Sequence, residues 1–228
     1  MNYRGLNIPF VSFGAVTSDD LFADKEQALF DFFECNATRY KRALDIGANI
    51  GVHTLLMARQ GWEVWAFEPD PEHHRIWLQN CGHLPKEKVS CSQMALSDRN
   101  GIATFVRVKG NTTGSHLKGD KQPYGELEEF DVSTRMAFHL FEWADFAKID
   151  AEGAEARILS QVQPHHRCEF MVEVGSEVNA DRIWSHFSPM DYGMWAQKLD
   201  WGLCRELKDI PKHHSEGALF IGRKPPFG

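Results

Sequence analysis

The sequence predicts one α/β domain on a central, mostly parallel sheet with helices on both faces. Three observations carry this reading. From Ala43 onward, short apolar runs alternate with stretches of helical period. Glycines and prolines separate them at Gly61, Pro69, Pro71 and Pro85. Apolar residues make up 43% of the 228 residues, enough to fill the core of a single unit. Alternation of this kind builds βαβ units with right-handed crossovers.

Taken in order, residues 1–40 read as a helical extension and residues 41–228 as the main domain. Asp19-Asp20 opens a helix whose apolar face holds Leu21, Phe22, Ala28, Leu29, Phe32 and Phe33. Strand Ala43–Ile46 leads to helix Val52–Arg59, strand Val64–Phe67 to helix Glu72–Cys81, and Val89–Leu96 is a third apolar run. Ala103–Val108 reads as a strand. Residues 109–126, KGNTTGSHLKGDKQPYGE, are glycine-rich and polar, a long loop expected to be mobile and to border a pocket. Glu126–Glu129 reads as a solvated face. Strand Phe146–Ile149, helix Glu155–Val162 and strand Phe170–Val174 follow. A mixed helical stretch covers Asn179 to Leu199, and Leu203–Leu207 with Ala218–Ile221 reads as a closing strand pair.

Charge and cysteine usage narrow the function classes. The net charge of -7 disfavours a nucleic-acid partner, which calls for a basic face. Five cysteines without a CxxC pair argue against a disulfide frame or zinc knuckle and for reduced thiols. MNYRGLNIPF carries no signal-peptide run, and no apolar stretch approaches a membrane span. A soluble, cytoplasmic protein without a membrane partner is expected.

The stretch ALDIGANIGVHTLLMARQGWEVWAFEPDP, residues 43–71, carries the chemistry. Asp45 ends the first strand, and Gly47 and Gly51 flank the turn into a helix. Glycine lets backbone approach a ligand closely. Ligands of open α/β sheets bind beyond the carboxyl ends of the strands. Glu68, at the end of the second strand, stands beside this turn, where a carboxylate accepts both hydroxyls of a ribose. A dinucleotide site wants G-x-G-x-x-G against a diphosphate. Here the motif is DIGANIG, without the third glycine and with Asp45 expected to turn its charge into the pocket. That repels a diphosphate and suits the cationic S-adenosylmethionine.

DIGANIGVHTLLMA, FEPDP, ALSDRNG and KIDAEGAEARIL resemble, in order and spacing, the motifs of FkbM-type methyltransferases. The resemblance runs from about Ala43 to Leu159. It implies a class I Rossmann-like methyltransferase fold with seven strands in the order 3-2-1-4-5-7-6, the last inserted antiparallel. It implies S-adenosylmethionine as cofactor and mostly O-methylation. Cofactor contacts are implied at Asp45, Gly47, Ala48, Asn49, Gly51 and Glu68, with Thr54, Pro69 and Asp150 beside them. Adenine contacts are implied at Ala95 and Leu96. Beyond Gly175 the likeness fades.

For the acceptor, the expectation is a hydroxyl of a small molecule or sugar. Asp150, ahead of Glu152, is the expected general base, with His116 next, then His139 and His53. The acid pair also suits a helix start. The doublets His73-His74, His165-His166 and His213-His214 read as surface histidines rather than metal ligands, since helical neighbours diverge. Trp184, Phe187, Trp195 and Trp201 are candidates to roof a substrate pocket. An NAD(P)-dependent oxidoreductase, a nucleic-acid methyltransferase and a non-catalytic S-adenosylmethionine-binding protein are the competing readings. A homodimer is left open.

Overall fold

The computed structural model describes residues 2–3, 5–8, 11–22 and 24–227. The opening decapeptide, read above for a signal sequence, lies partly outside the described residues. Strands β1 (Asn2–Tyr3) and β2 (Leu6–Asn7) form a small antiparallel ladder. The helix expected from Asp19 is split into a 3-10 turn at Asp20–Phe22 and helix α1 (Asp24–Cys35).

Strand β3 (Arg42–Ile46), helix α2 (Val52–Arg59), strand β4 (Glu63–Phe67), helix α3 (Pro71–Cys81) and strand β5 (Val89–Ser92) form the first half of the core. Asp70 caps α3, its Oδ1 accepting the Glu72 amide at 2.8 Å, and Pro71 starts the helix where a missing N–H costs nothing. The apolar run Val89–Leu96 does not continue as one strand. It turns where the Met94 amide donates to the Ser92 carbonyl, and its end, β6 (Ala95–Ser97), joins a second sheet.

That second sheet is an insertion. Strand β7 (Gly101–Val108) and strand β9 (Leu127–Met136) form its long hairpin, with β8 (His116–Leu117) on β7's other edge, in the order β6-β9-β7-β8. The sequence reading missed β9, taking its start for a solvated face. Most of it is exposed, but Val132 and Thr134 alternate inward, and Val132 packs with Ala95, Phe105 and Leu117.

Helix α4 (Phe138–Trp143), strand β10 (Phe146–Ile149), helix α5 (Glu155–Leu159), strand β11 (Glu169–Glu173), helix α6 (Glu177–Phe187) and strands β12 (Gly193–Ala196), β13 (Gly202–Leu203) and β14 (Ala218–Gly222) complete the chain. The stretch read as mixed helical thus ends in a strand, β12. The expected pairing of the segments near Leu203 and Ala218 does not form. β14 instead inserts between β11 and β12, antiparallel to both, and β13 pairs with β12.

The main sheet has eight strands, β13-β12-β14-β11-β10-β3-β4-β5. Without the two-residue edge strand β13, this is the 3-2-1-4-5-7-6 order of a class I methyltransferase. Successive side chains of each strand serve opposite faces. Leu44 and Ile46 join the core under α4, α5 and α6, while Ala43 joins the one under α1, α2 and α3. Phe32, Phe33, Tyr40, Trp62 and Phe146 fill the latter, their rings meeting at 5.0–6.1 Å.

The N-terminal segment is clasped to the insertion by backbone. The Ala15 amide donates to Gly110 and the Thr112 amide to Phe13, both at 2.8 Å. Gly14 takes φ +97°, and a Cβ there would lie 2.1 Å from the Gly110 oxygen, so the two chains meet closer than any side chain allows.

Candidate cofactor and acceptor site

The strand order reverses between β3 and β10, and a cavity of about 520 Å³ opens beyond the carboxyl ends there. Of the predicted cofactor residues, Gly47, Asn49, Glu68, Pro69, Ala95, Leu96 and Asp150 line it, as does Glu152. The insertion and the N-terminal segment close it from above with Asn111–Ser115, Phe105, Tyr124, Val16 and Leu21. The segment expected to be a long loop bordering a pocket does line the cavity, and it holds a 3-10 turn at Thr112–Gly114 and strand β8.

Asp45 does not face the cavity. Strand alternation sends it to the α2 and α3 side, where it is fully buried. The Thr54 hydroxyl donates to its Oδ2 at 2.5 Å, and the Trp77 indole N–H donates to that hydroxyl at 3.1 Å. Asp45 and Thr54 therefore bind β3 to its two helices beneath the turn. Ala48 and Gly51 are likewise packed away, Gly51 against Trp77 and Cys81. Asp45 thus does not turn its charge into the cavity as expected, and its Oδ1 stays buried without a partner; the carboxylates that reach the cavity are others.

Glu68 is one of them. It is 5% exposed, and its Oε2 accepts the Asn49 amide and its Oε1 the Asp70 amide, each at 2.8 Å. Burial outweighs these two bonds and pushes its pKa up to about 8. Each oxygen keeps a further lone pair, so a vicinal diol can dock on a carboxylate already fixed in place. Asn49, held at φ +51°, keeps its side-chain oxygen buried with no partner. Such an atom calls for a ligand donor.

The turn after β10 gathers acids around lysines. Lys148, 5% exposed, donates to Asp150 Oδ2 at 3.1 Å, and Lys121 of the insertion donates to Glu152 Oε2 at 2.5 Å. Burial opposes the Lys148 charge, but Asp150, Asp45 and Glu26 hold it above its ordinary value. Glu155 has a different task from its neighbours. It accepts the Ala151 and Gly153 amides at 3.0 and 2.9 Å and an Asn179 side-chain N–H at 2.6 Å, shaping the turn that presents Asp150 and Glu152. The helix-start role weighed for Asp150 and Glu152 thus belongs to Glu155.

Sequence reasoning missed Glu173, which ends β11 and lines the cavity beside Asp150. Burial, then Asp150, Glu26 and Glu152, raise its pKa well above the carboxylate range. The signal was available: FMVEVG places an acid at a strand's carboxyl end, as AFEP does. His116 is placed otherwise than expected. It is 1% exposed beneath the insertion, with Nδ1 3.0 Å from the Gly114 carbonyl, and does not line the cavity.

The histidine doublets divide. His73 is buried, lines the cavity and meets the Thr112 hydroxyl at 2.9 Å, and His213 and His214 stand exposed at the rim. His165 and His166 gather with Glu142 away from the cavity. The Gln163 amide donates to His166 Nδ1 at 2.8 Å, which leaves Nε2 as the N–H and His166 without a free lone pair for a metal. Trp184, Phe187, Trp195 and Trp201 all sit in or against the two cores, and none roofs the cavity.

Residues 45–200 match the family described as Methyltransferase FkbM domain. The chain belongs to the FkbM methyltransferase family. Its cofactor is S-adenosylmethionine, and the oxidoreductase reading falls. No curated protein matches this FkbM methyltransferase. Among solved structures it is similar to a ribosomal protein L11 methylase from Lactobacillus delbrueckii subsp. bulgaricus, at 9% identity over 86% of this chain and 78% of that one, TM-score 0.45. A precorrin-6y C5,15-methyltransferase from Geobacter metallireducens aligns at 11% identity over 86% and 85%, TM-score 0.43. A 1,6-didemethyltoxoflavin-N1-methyltransferase from Burkholderia thailandensis, solved with S-adenosylhomocysteine, aligns at 16% identity over 69% and 56%, TM-score 0.36. Among the described residues, no helix is long and apolar enough to cross a membrane.

The FkbM methyltransferase should show a pH-dependent stability set by these acids. Glu68 at about 8 and Glu155 at about 7 hold protons more tightly folded than unfolded, where a glutamate titrates near 4.5. Stability from both is complete below the unfolded value and is lost as pH rises through 7 and 8. The melting temperature of the ligand-free protein should therefore fall by several degrees, on the order of 2–4 °C per kcal/mol, between about pH 5 and 8.5. Glu68→Gln should flatten part of this decline in a thermal melt. Parallel slopes for variant and wild type would remove Glu68 as a cause.

Proposed function

We propose that this FkbM methyltransferase methylates a hydroxyl group of a small molecule or sugar. The observation that carries the reading is the pair of acids, Asp150 and Glu173, which follow and end the adjoining strands β10 and β11 and both line the cavity. When bound, S-adenosylmethionine supplies a methyl group made electrophilic by its positive sulfur. Glu68 holds the ribose hydroxyls, and Ala95 and Leu96 supply an apolar wall for the base. The insertion and N-terminal segment exclude water and hold the acceptor oxygen in line, the geometry from which much of the rate derives. Asp150, fixed by Lys148, receives the hydroxyl proton as the new oxygen–carbon bond forms. The proton acidifies only in that step, so a carboxylate suffices.

Glu68→Gln tests the cofactor half. Above about pH 8, where Glu68 is ionised, it removes a charged acceptor worth about 1.5–3 kcal/mol, so calorimetry there should show S-adenosylhomocysteine binding roughly tenfold weaker or more. Unchanged affinity would take Glu68 out of the site. The acceptor half is tested by transfer of labelled methyl to a panel of monosaccharides and hydroxylated small molecules, with the product linkage read by NMR. A methyl ether supports the proposal. Label found only on nitrogen, carbon, RNA or protein overturns it. The same reading takes the enzyme as cytoplasmic and free of nucleic-acid partners. Its net charge of -7 and five unpaired cysteines support that.

A further inference from the structure

A charge pair with its acid buried and its guanidinium half-buried joins the insertion to the cofactor side without lining the cavity. From β7, Arg107 grips Asp70 with two nitrogens, Nε to Oδ2 at 2.7 Å and Nη2 to Oδ1 at 2.6 Å. Its Nη1 donates to Glu128 of β9 at 2.8 Å, and the guanidinium carbon stands 4.9 Å from the centre of the Phe130 ring. Asp70 is 1% exposed, and its own amide donates to Glu68 Oε1 at 2.8 Å. A carboxylate this deep needs a counter-charge. Burial alone would raise Asp70, but Arg107, with His73 and the Glu72 amide, outweighs it and holds the group below the usual carboxylate value.

We propose that Arg107 is a positioning residue for the cofactor: it sets the strength of S-adenosylmethionine binding through Asp70 and Glu68, without touching the ligand. The inference rests on Glu68 being the ribose carboxylate. Glu68 is faced by Asp45 from β3, Asp70 at the start of α3 and Cys91 from β5. Asp70 is faced by His73 and Glu72 of α3 and by Arg107, which Glu128 of β9 backs. Among these described groups Arg107 is the permanent cation. Without it the Asp70 charge stands uncompensated beside Glu68, and a neighbouring like charge makes a carboxyl harder to ionise.

The test is calorimetric binding of S-adenosylhomocysteine from about pH 6 to 9. Wild-type affinity should rise with pH as Glu68 ionises. For Arg107→Met that rise should move up by about one pH unit, leaving binding roughly tenfold weaker at neutral pH. Arg107→Lys keeps the charge and should keep the wild-type midpoint. Adding Asp70→Asn to Arg107→Met should bring the midpoint back, which a merely structural role would not do. A folded Arg107→Met with an unmoved midpoint overturns the inference alone, provided Glu68→Gln weakens binding. If Glu68→Gln binds like wild type, this inference and the ribose assignment fall together. Should Arg107→Met not fold, Asp70→Asn decides: its midpoint must drop, and one that stays put overturns the proposal.

Discussion

Asp150→Asn should lower turnover by about 10²–10⁴-fold, the usual contribution of a general base, while S-adenosylhomocysteine still binds. The substitution keeps the shape of the side chain and one acceptor for Lys148, which lies 3.1 Å away. The capacity to take a proton is lost, together with the negative charge that faces Lys148. The measurement is steady-state methylation of an acceptor found in the labelling panel, alongside calorimetry with S-adenosylhomocysteine. Near-normal turnover would move the proton to Glu173, and Glu173→Gln would then carry the large loss. His116→Asn serves as a control for the base assignment, because that imidazole is 1% exposed and off the cavity wall. A large loss there, in a folded variant, would contradict the placement.

Gly47→Ala should destabilise the enzyme severely, by more than roughly 4 kcal/mol, in the range that marks a specific structural collision. Gly47 sits at φ +77°, and a Cβ would lie 1.8 Å from the Asp150 carbonyl oxygen. From sequence, glycine here was expected to let backbone approach a ligand closely. In the structure a side chain here would strike protein backbone, where β3 and β10 leave the sheet side by side. Gly61→Ala separates the two costs. Gly61 has φ +86° with nothing within 4 Å, so it bears the conformational strain alone, about 1–2 kcal/mol. Denaturant melts showing equal losses at the two sites would mean the turn after β3 yields without penalty.

The parts of the fold that were legible are those where burial on both sides makes a strand a continuous apolar run. β3, β4 and β10 were found for that reason, and DIGANIG with KIDAEGAE located the cavity. What the pattern hid depends on direction. Nothing in ALDIG says that Asp45 turns beneath the sheet edge, because register with α2 and α3 decides it. β9 was overlooked because one face is wet, so LEEFD looks like a solvated surface although Val132 and Thr134 alternate inward. β12 was lost within a helical texture, since only its pairing with β14 and β13 makes GMWA a strand. Glu173 was within reach and was overlooked because no motif surrounds it. His73 was judged by its doublet, whereas its burial depends on Thr112, 39 residues away in sequence.

The clasp at Gly14 and Gly110 bears on how such an enzyme can change its acceptor. The cavity's ceiling comes from two stretches that contribute no strand to the main sheet, sewn together by main-chain bonds and fastened to it by Arg107 on Asp70 and by Arg157 on Asp120. Main-chain bonds read no side chains. The ceiling can therefore be exchanged as a cartridge: residues 13–22 and 103–126 grafted together, with both glycines and both anchoring pairs kept, should transplant acceptor preference onto an unaltered cofactor floor. Grafting either stretch alone would keep the stitching but set two unmatched linings against each other across the chamber.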